Sequence, residues 1–320
     1  MGKAAGTGKR KRIAIVGLGD IAHKVYVPLL SAHSDVELVG VVSRTETTVQ
    51  QTMDQYRIVH GSTELHELVK WDVDAVFVHS PTTTHFEVVS ACLKMGLPVY
   101  VDKPLAYELK QAERLAALAE QKGVLLAVGF NRRFAPLYKQ ASAWLAEAGG
   151  FELCEVSKHR TRLQHLPARE TMYDDLIHML DLLVWLGNER YDILAHQLYK
   201  QSNDSNGALL HTSGMLSLGK GRYGQYSMAR NAGADLEKLV LHGSGRSAEV
   251  VNMEQLYLYE KDTLPQQQPP GNWESIWQRR GFTGVVEHFW SHLDTPQQCN
   301  IRADLVLDTH RLVEELVANV

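Results

Sequence analysis

The sequence predicts an α/β protein of two domains. A doubly wound parallel sheet comes first, followed by an α+β domain on a large, mostly antiparallel open sheet. Three observations predict this. Short apolar strands alternate with helices through the first 130 residues, the pattern of a parallel sheet covered on both faces. Gly17-x-Gly19-x-x-Ala22 stands between the first strand and the first helix. Beyond about residue 151, β-type runs separated by turn residues replace the alternation. At 320 residues the chain is long for one core. Domains are therefore expected at 12–130 and 131–320, after a basic Gly/Ala-rich start, 1–11, expected to be a disordered tail.

Each element has its own signal. Residues 12–16 are a β-rich run that stops at the glycine turn, and an amphipathic pattern follows to 31. Strand 36–42 precedes a helix after Thr45, and Ser62 is expected to cap a short helix. Strand 75–78 leads to helix 84–94, strand 98–101 to helix 105–121, and strand 124–128 closes the series. In the second half, β-type runs lie at 152–160, 193–199, 209–218, 223–229 and 236–241. Asn203-Asp204, Gly219-Lys220-Gly221 and Gly243-Ser244-Gly245 separate several of them. Helix 170–186 interrupts this series and stops at Gly187-Asn188. The 266–270 run reads as a loop, and helical patterns return at 284–293 and 303–317.

Composition narrows the function. A net charge of −4 gives no reason to expect nucleic acid or an anionic membrane as partner. No stretch is apolar for long enough to span a bilayer. Cys92, Cys154 and Cys299 lie far apart without metal-type spacing, which argues against a disulfide framework or a metal site and suits a reducing cytoplasm.

The glycine turn is weak evidence alone and strong evidence between a strand and a helix. Gly17 permits the tight turn, Gly19 lets a pyrophosphate approach the helix N-terminus beside Asp20 and Ile21, and Ala22 allows close packing. An NAD site usually places Asp or Glu at the end of the second strand, for the ribose hydroxyls. Here Ser43-Arg44 stands there, and Arg44 offers a permanent charge and a donor fork to a 2′-phosphate. NADP is the preferred cofactor on this reading, with NAD the alternative.

Three more segments end strands where open α/β sheets bind ligands. One is His79 to His85, including Ser80, Pro81 and Thr82, whose hydroxyls also serve turn and capping chemistry. Another is Asp102-Lys103-Pro104, where Lys103 should point into the crevice. The third is 129–134, including Asn131. Asp174, His178 and Asp181 fall within roughly 60° of one another on an otherwise apolar helix. Two readings fit this stripe. It forms an active-site wall, or Thr171 caps the helix, Asp174 completes the capping box and Asp181 meets solvent.

Together these segments resemble the Gfo/Idh/MocA family of nicotinamide-dependent oxidoreductases. The residues that carry the resemblance are 16–22, 101–106 and Asp174-x-x-x-His178-x-x-Asp181. Segments 77–80, 129–138 and 278–282 look like its MviM-type branch. The resemblance implies an N-terminal Rossmann domain and hydride transfer between nicotinamide and a carbinol or carbonyl carbon of a sugar, cyclitol or related polyol. It implies Lys103 bonding the reacting oxygen, His178 as general acid/base, and Asp174 as its orienting or substrate-binding carboxylate, with Asp175 and Asp181 as weaker candidates. It implies a homodimer or homotetramer through the open sheet face. The family's usual Glu-Lys-Pro is Asp102-Lys103-Pro104 here, a shorter carboxylate beside the lysine. Arg160, Arg162, His165, Arg169 and Tyr173 are candidate substrate contacts. The competing class is a non-catalytic dinucleotide-binding sensor of the same fold.

Overall fold

A computed structural model describes residues 10–201 and 205–318. The turn expected at Asn203-Asp204 and nearly all of the basic start lie outside the described residues. The chain divides into two compact units. One runs through Gly129 and takes back Glu287–Asp304, and the other comprises Phe130–Val286 and the residues from Leu305 onward.

Six parallel strands make the first unit's sheet: β1 Lys11–Val16, β2 Val36–Val42, β3 His60–Ser62, β4 Ala75–Val78, β5 Val99–Val101 and β6 Leu126–Val128. They lie in the order β3-β2-β1-β4-β5-β6, so the winding reverses between β1 and β4. β4, β5 and β6 are buried along their whole length, which is why their sequences run apolar without alternation. The doubly wound parallel sheet is as the sequence predicts.

Ser62 corrects one expectation. It ends the short edge strand β3, and its Oγ accepts the Glu64 N–H at 2.9 Å in a turn before the 3-10 segment Leu65–Lys70. The helix Leu109–Lys122 starts later than expected because Leu105 and Ala106 are core residues of a loop.

The returning segment completes this unit. Phe289 packs edge-on against Phe77 and Tyr100, with ring centroids 5.3 and 5.6 Å away. Val128 N–H donates to Ile301 O at 2.9 Å and Ala303 N–H to Leu126 O at 2.8 Å, so 301–303 covers the free edge of β6.

The second unit holds an eight-stranded sheet of β7 Leu153–His159, β8 Asp192–Lys200, β9 Leu209–Ser217, β10 Tyr223–Ala229, β11 Leu236–Gly243, β12 Arg246–Val251, β13 Gln255–Glu260 and β14 Gln266–Gln268. The order is β14-β13-β12-β11-β7-β10-β9-β8. All neighbours are antiparallel except β7 with β10. Buried and less buried residues alternate along β7, β10 and β11, as one covered face requires. The loop expected at 266–270 is partly a strand, since Gln266–Gln268 pairs with Leu256–Leu258. Polar residues at an edge carry no strand signal of their own; the partner supplies the register.

The helix expected at 170–186 is three joined segments: Ala168–Thr171, a π-helical Met172–Leu176, and Ile177–Gly187. Asn188, at φ 49°, closes it in the left-handed conformation. Thr171 does not cap it. Pro167 precedes the first turn and Thr171 is fully buried within the helix.

Candidate active site

In the first unit the cleft forms at the carboxyl ends of β1, β2 and β4. Gly17 is required twice over: its φ is +93°, and a Cβ there would lie 2.3 Å from Ser80 N. This contact lets the β1 and β4 ends come together. A Cβ on Gly19 would meet nothing closer than His79 O at 3.8 Å, so its missing side chain leaves open room for a ligand. A cleft of about 420 Å³ follows, lined by residues that include Gly17, Gly19, Ser43, Arg44, Ser80 and Pro81. Polar backbone, small hydroxyls and an exposed guanidinium fit the phosphates and ribose of a dinucleotide.

The other residues expected at the cofactor have different settings. Asp20 is exposed and pairs with Lys24 at 2.5 Å. Ile21 precedes a π-helical Ala22–Tyr26. Thr82 opens the helix Thr82–Lys94, and neither Ile21 nor Thr82 lines the cleft. His85 is 1% exposed, and its two ring nitrogens reach Pro104 O and Ser80 O, both at 2.9 Å. It ties two loops together and leaves no ring nitrogen for a ligand. Only a protonated ring could donate to both carbonyls, whereas burial lowers its pKa.

Asp102 follows β5 and accepts Lys103 N–H at 3.0 Å; its other oxygen lies 3.7 Å from His79 Nδ1. Burial raises the Asp102 carboxyl, but His79, Lys103 and His85 outweigh it and hold the pKa below the usual value. His79 is buried, stacks on Tyr26 at 3.8 Å, and has no hydrogen bond at either ring nitrogen. Lys103 is thereby the residue after a fixed carboxylate at a buried strand end.

In the second unit Asn131 is 2% exposed and spent internally. Its Nδ2 donates to Arg280 O at 2.7 Å and its Oδ1 accepts from Arg132 at 3.1 Å. Its side-chain amide is therefore committed within this unit. His178 opens the segment Ile177–Gly187 and is 5% exposed. Arg132 Nη1 lies 3.0 Å from its Nε2 and 3.3 Å from its Nδ1. Asp174 sits on the π-helical turn just before it, half-buried. That turn changes the angular spacing between Asp174 and the His178–Asp181 pair, since π-helical hydrogen bonds span one residue more than α-helical ones.

Asp181 does not meet solvent. It is fully buried, holds Arg133 through two hydrogen bonds of 2.9 and 2.5 Å, and accepts from Thr309 at 3.0 Å. Asp175 is bound by Lys158 at 2.5 Å, by Arg160 at 3.5 Å and by Arg230. These cations hold its carboxyl below the usual range against the burial that would raise it. Arg169 and Tyr173 both turn to Glu314, at 2.7 and 2.9 Å, and so brace the helix Leu307–Ala318.

Sequence reasoning missed the ionic cluster under this helix. Arg132 grips Glu237 with two bonds of 2.9 and 3.0 Å, and Lys158 stands 3.9 Å from Glu237. Burial pulls the Lys158 amine down to about 7. Glu237 falls to about 2, because Arg132 and Lys158 overcome the burial that would raise it. A signal was available. Lys158 continues the buried phase of Cys154 and Val156, and Glu237 shares that of Leu239 and Leu241. A charge on the covered face of a strand needs a partner. Among the described residues, no cluster of His, Cys, Asp and Glu could hold a metal ion, and no helix is long and apolar enough to cross a membrane.

A glycine-turn cleft on a β3-β2-β1-β4-β5-β6 parallel sheet defines a dinucleotide-binding protein of the Rossmann class. Residues 11–130 match the oxidoreductase family model described as an NAD-binding Rossmann fold, and 136–261 match the YceM-like C-terminal domain. YceM of Salmonella typhimurium, named for the oxidoreductase class, is 33% identical over 95% of this chain and 96% of that protein. The MviM dehydrogenase structure from Clostridium difficile is 31% identical, with a TM-score of 0.91 over 98% of this chain and 100% of that one. Myo-inositol dehydrogenase Hyg17 of Streptomyces leeuwenhoekii is 31% identical over 57% of this chain and 58% of that protein. The chain belongs to the Gfo/Idh/MocA family of NAD(P)-dependent oxidoreductases.

Proposed function

We propose that the protein is an NADP-preferring dehydrogenase or reductase acting on a CH–OH group of a sugar, cyclitol or related polyol. The observation that carries this reading is Lys103, set by the fixed Asp102 carboxylate at the end of a buried parallel strand. The match to a myo-inositol dehydrogenase supports the polyol class. When bound, the nicotinamide supplies the hydride acceptor, or the donor in reverse.

The chain's residues do the rest. Lys103 hydrogen-bonds the reacting oxygen and stabilises its developing negative charge. His178 takes the hydroxyl proton on a ring nitrogen as the carbon–hydrogen bond gives up its electron pair and the carbonyl forms. Asp174 orients the histidine or holds a substrate hydroxyl. Arg44 receives the 2′-phosphate, with Ser43 beside it.

Lys103→Met tests the reading. Turnover of a screened polyol should fall by at least a thousand-fold, roughly the weight of one electrostatic contact and one proton-transfer group combined. Dinucleotide affinity should stay within a few-fold. Retained turnover overturns the assignment. Tight dinucleotide binding by the wild type, with no turnover on any polyol, would point to a sensor.

A further inference from the structure

We propose that Arg132 is a positioning residue that holds the His178 imidazole in its neutral, proton-accepting form. The inference deepens the proposed function, since it rests on His178 acting as the base. A guanidinium donates hydrogen bonds and accepts none, and it carries its charge at every working pH. One of its nitrogens stands 3.0 and 3.3 Å from the two ring nitrogens. Protonating the ring would put two cations in contact within a largely buried site, where their repulsion is weakly screened. Neutral imidazole instead receives the guanidinium and keeps its capacity for a proton.

Arg132 cannot easily move aside. Its Nε and Nη2 are held by Glu237 from β11, and the nitrogen facing His178 also donates to Asn131 Oδ1 at 3.1 Å. Asn131 is in turn anchored to Arg280 O. The order Asn131–Arg132–Glu237 therefore fixes a charge against the ring from outside its own helix.

The other charged groups on the elements packed around this helix are cations in excess around Asp175 and closed ion pairs elsewhere. Asp175 meets Lys158 from β7 and Arg160 and Arg230, the residues that follow β7 and β10. Asp181 meets Arg133, and Glu314 on the C-terminal helix meets Arg169. His310, on the same C-terminal helix, is kept neutral by burial, its pKa lowered to about 4. Asp174, on the preceding turn, acts in the opposite sense and favours the imidazolium. Against it, Arg132 stands in direct contact with the ring at 3.0 Å.

The test is a histidine-selective NMR titration of the full chain without substrate, with the His178 signal assigned by its loss in His178→Asn. The wild-type midpoint should lie at least one pH unit below that of Arg132→Met. Because Arg132→Met takes two charge-assisted hydrogen bonds from the buried Glu237, the Arg132→Met/Glu237→Gln double variant supplies the same comparison with that carboxylate neutralised. In it the midpoint should also rise by at least one unit. Equal midpoints in wild type and the double variant overturn the proposal. The readout needs no turnover, so it stands or falls separately from Lys103→Met. If a substrate is turned over, the acid limb of kcat/KM should move to higher pH by the same shift.

Discussion

Arg44 and Asp181 show what exposure does to a charged residue's role. Arg44 is exposed at the mouth of the cleft, where its charge is free for a ligand. Arg44→Ala should weaken NADP binding roughly ten-fold or more, about the loss of one charge-assisted hydrogen bond, and leave NAD nearly unchanged. Fluorescence titration with both dinucleotides checks this. Asp181 is buried and fully engaged by Arg133 and Thr309. Asp181→Asn removes the carboxylate charge that faces the buried Arg133 guanidinium and should cost about 3–5 kcal/mol in urea unfolding. Its effect is on stability first.

Glu237 links the site to pH. Its folded pKa of about 2 lies below its ordinary 4.5, so the unfolded chain binds the extra proton. That stabilisation is complete above pH 4.5 and is lost as pH falls toward 2. It amounts to something on the order of 3 kcal/mol. Denaturant midpoints should fall through this window in wild type and change less in Glu237→Gln.

At the scale of elements, the legible parts of the chain were those whose signal is local. Strands β1, β2, β4, β5 and β6, the glycine turn and the helix stop at Asn188 follow from apolar runs, glycine geometry and capping. The unread parts depend on partners distant in sequence. β14 is a strand because Leu256–Leu258 accepts it. His60–Ser62 is one because Gly40–Val42 does. The π-helical Met172–Leu176 was invisible for a similar reason, since nothing in Met-Tyr-Asp-Asp-Leu marks a wider turn. The candidate site divides likewise. Lys103 and His178 stand out by local context, whereas the grip of Glu237 on Arg132 spans 105 residues.

Gly17 is the element-scale test. With φ at +93° and a Cβ only 2.3 Å from the Ser80 backbone, Gly17→Ala must pull β1 and β4 apart. Roughly 1–3 kcal/mol of stability should be lost, together with most dinucleotide affinity. Gly19→Ala has room, so its thermal midpoint should stay close to wild type while dinucleotide affinity falls.

For the whole molecule, the second unit's sheet has one face covered by helices and another bearing Ser157, Ser213, Met215, Gln225 and Lys238 around a depression of about 690 Å³. The expected state is a homodimer or homotetramer joined through that face. Sedimentation velocity should show a species larger than 35.9 kDa, and Met215→Arg should shift it toward monomer.

The segment Glu287–Asp304 carries a consequence for how the protein is made. The cofactor unit draws Phe289 into its ring cluster and Ile301 onto the edge of β6. On a ribosome, its first 129 residues emerge long before either arrives. The Rossmann sheet must therefore wait, its β6 border open, until residues 301–303 have been made. A fragment ending near residue 130 should be born incomplete, and nascent chains stalled before residue 289 should be sensitive to proteases there.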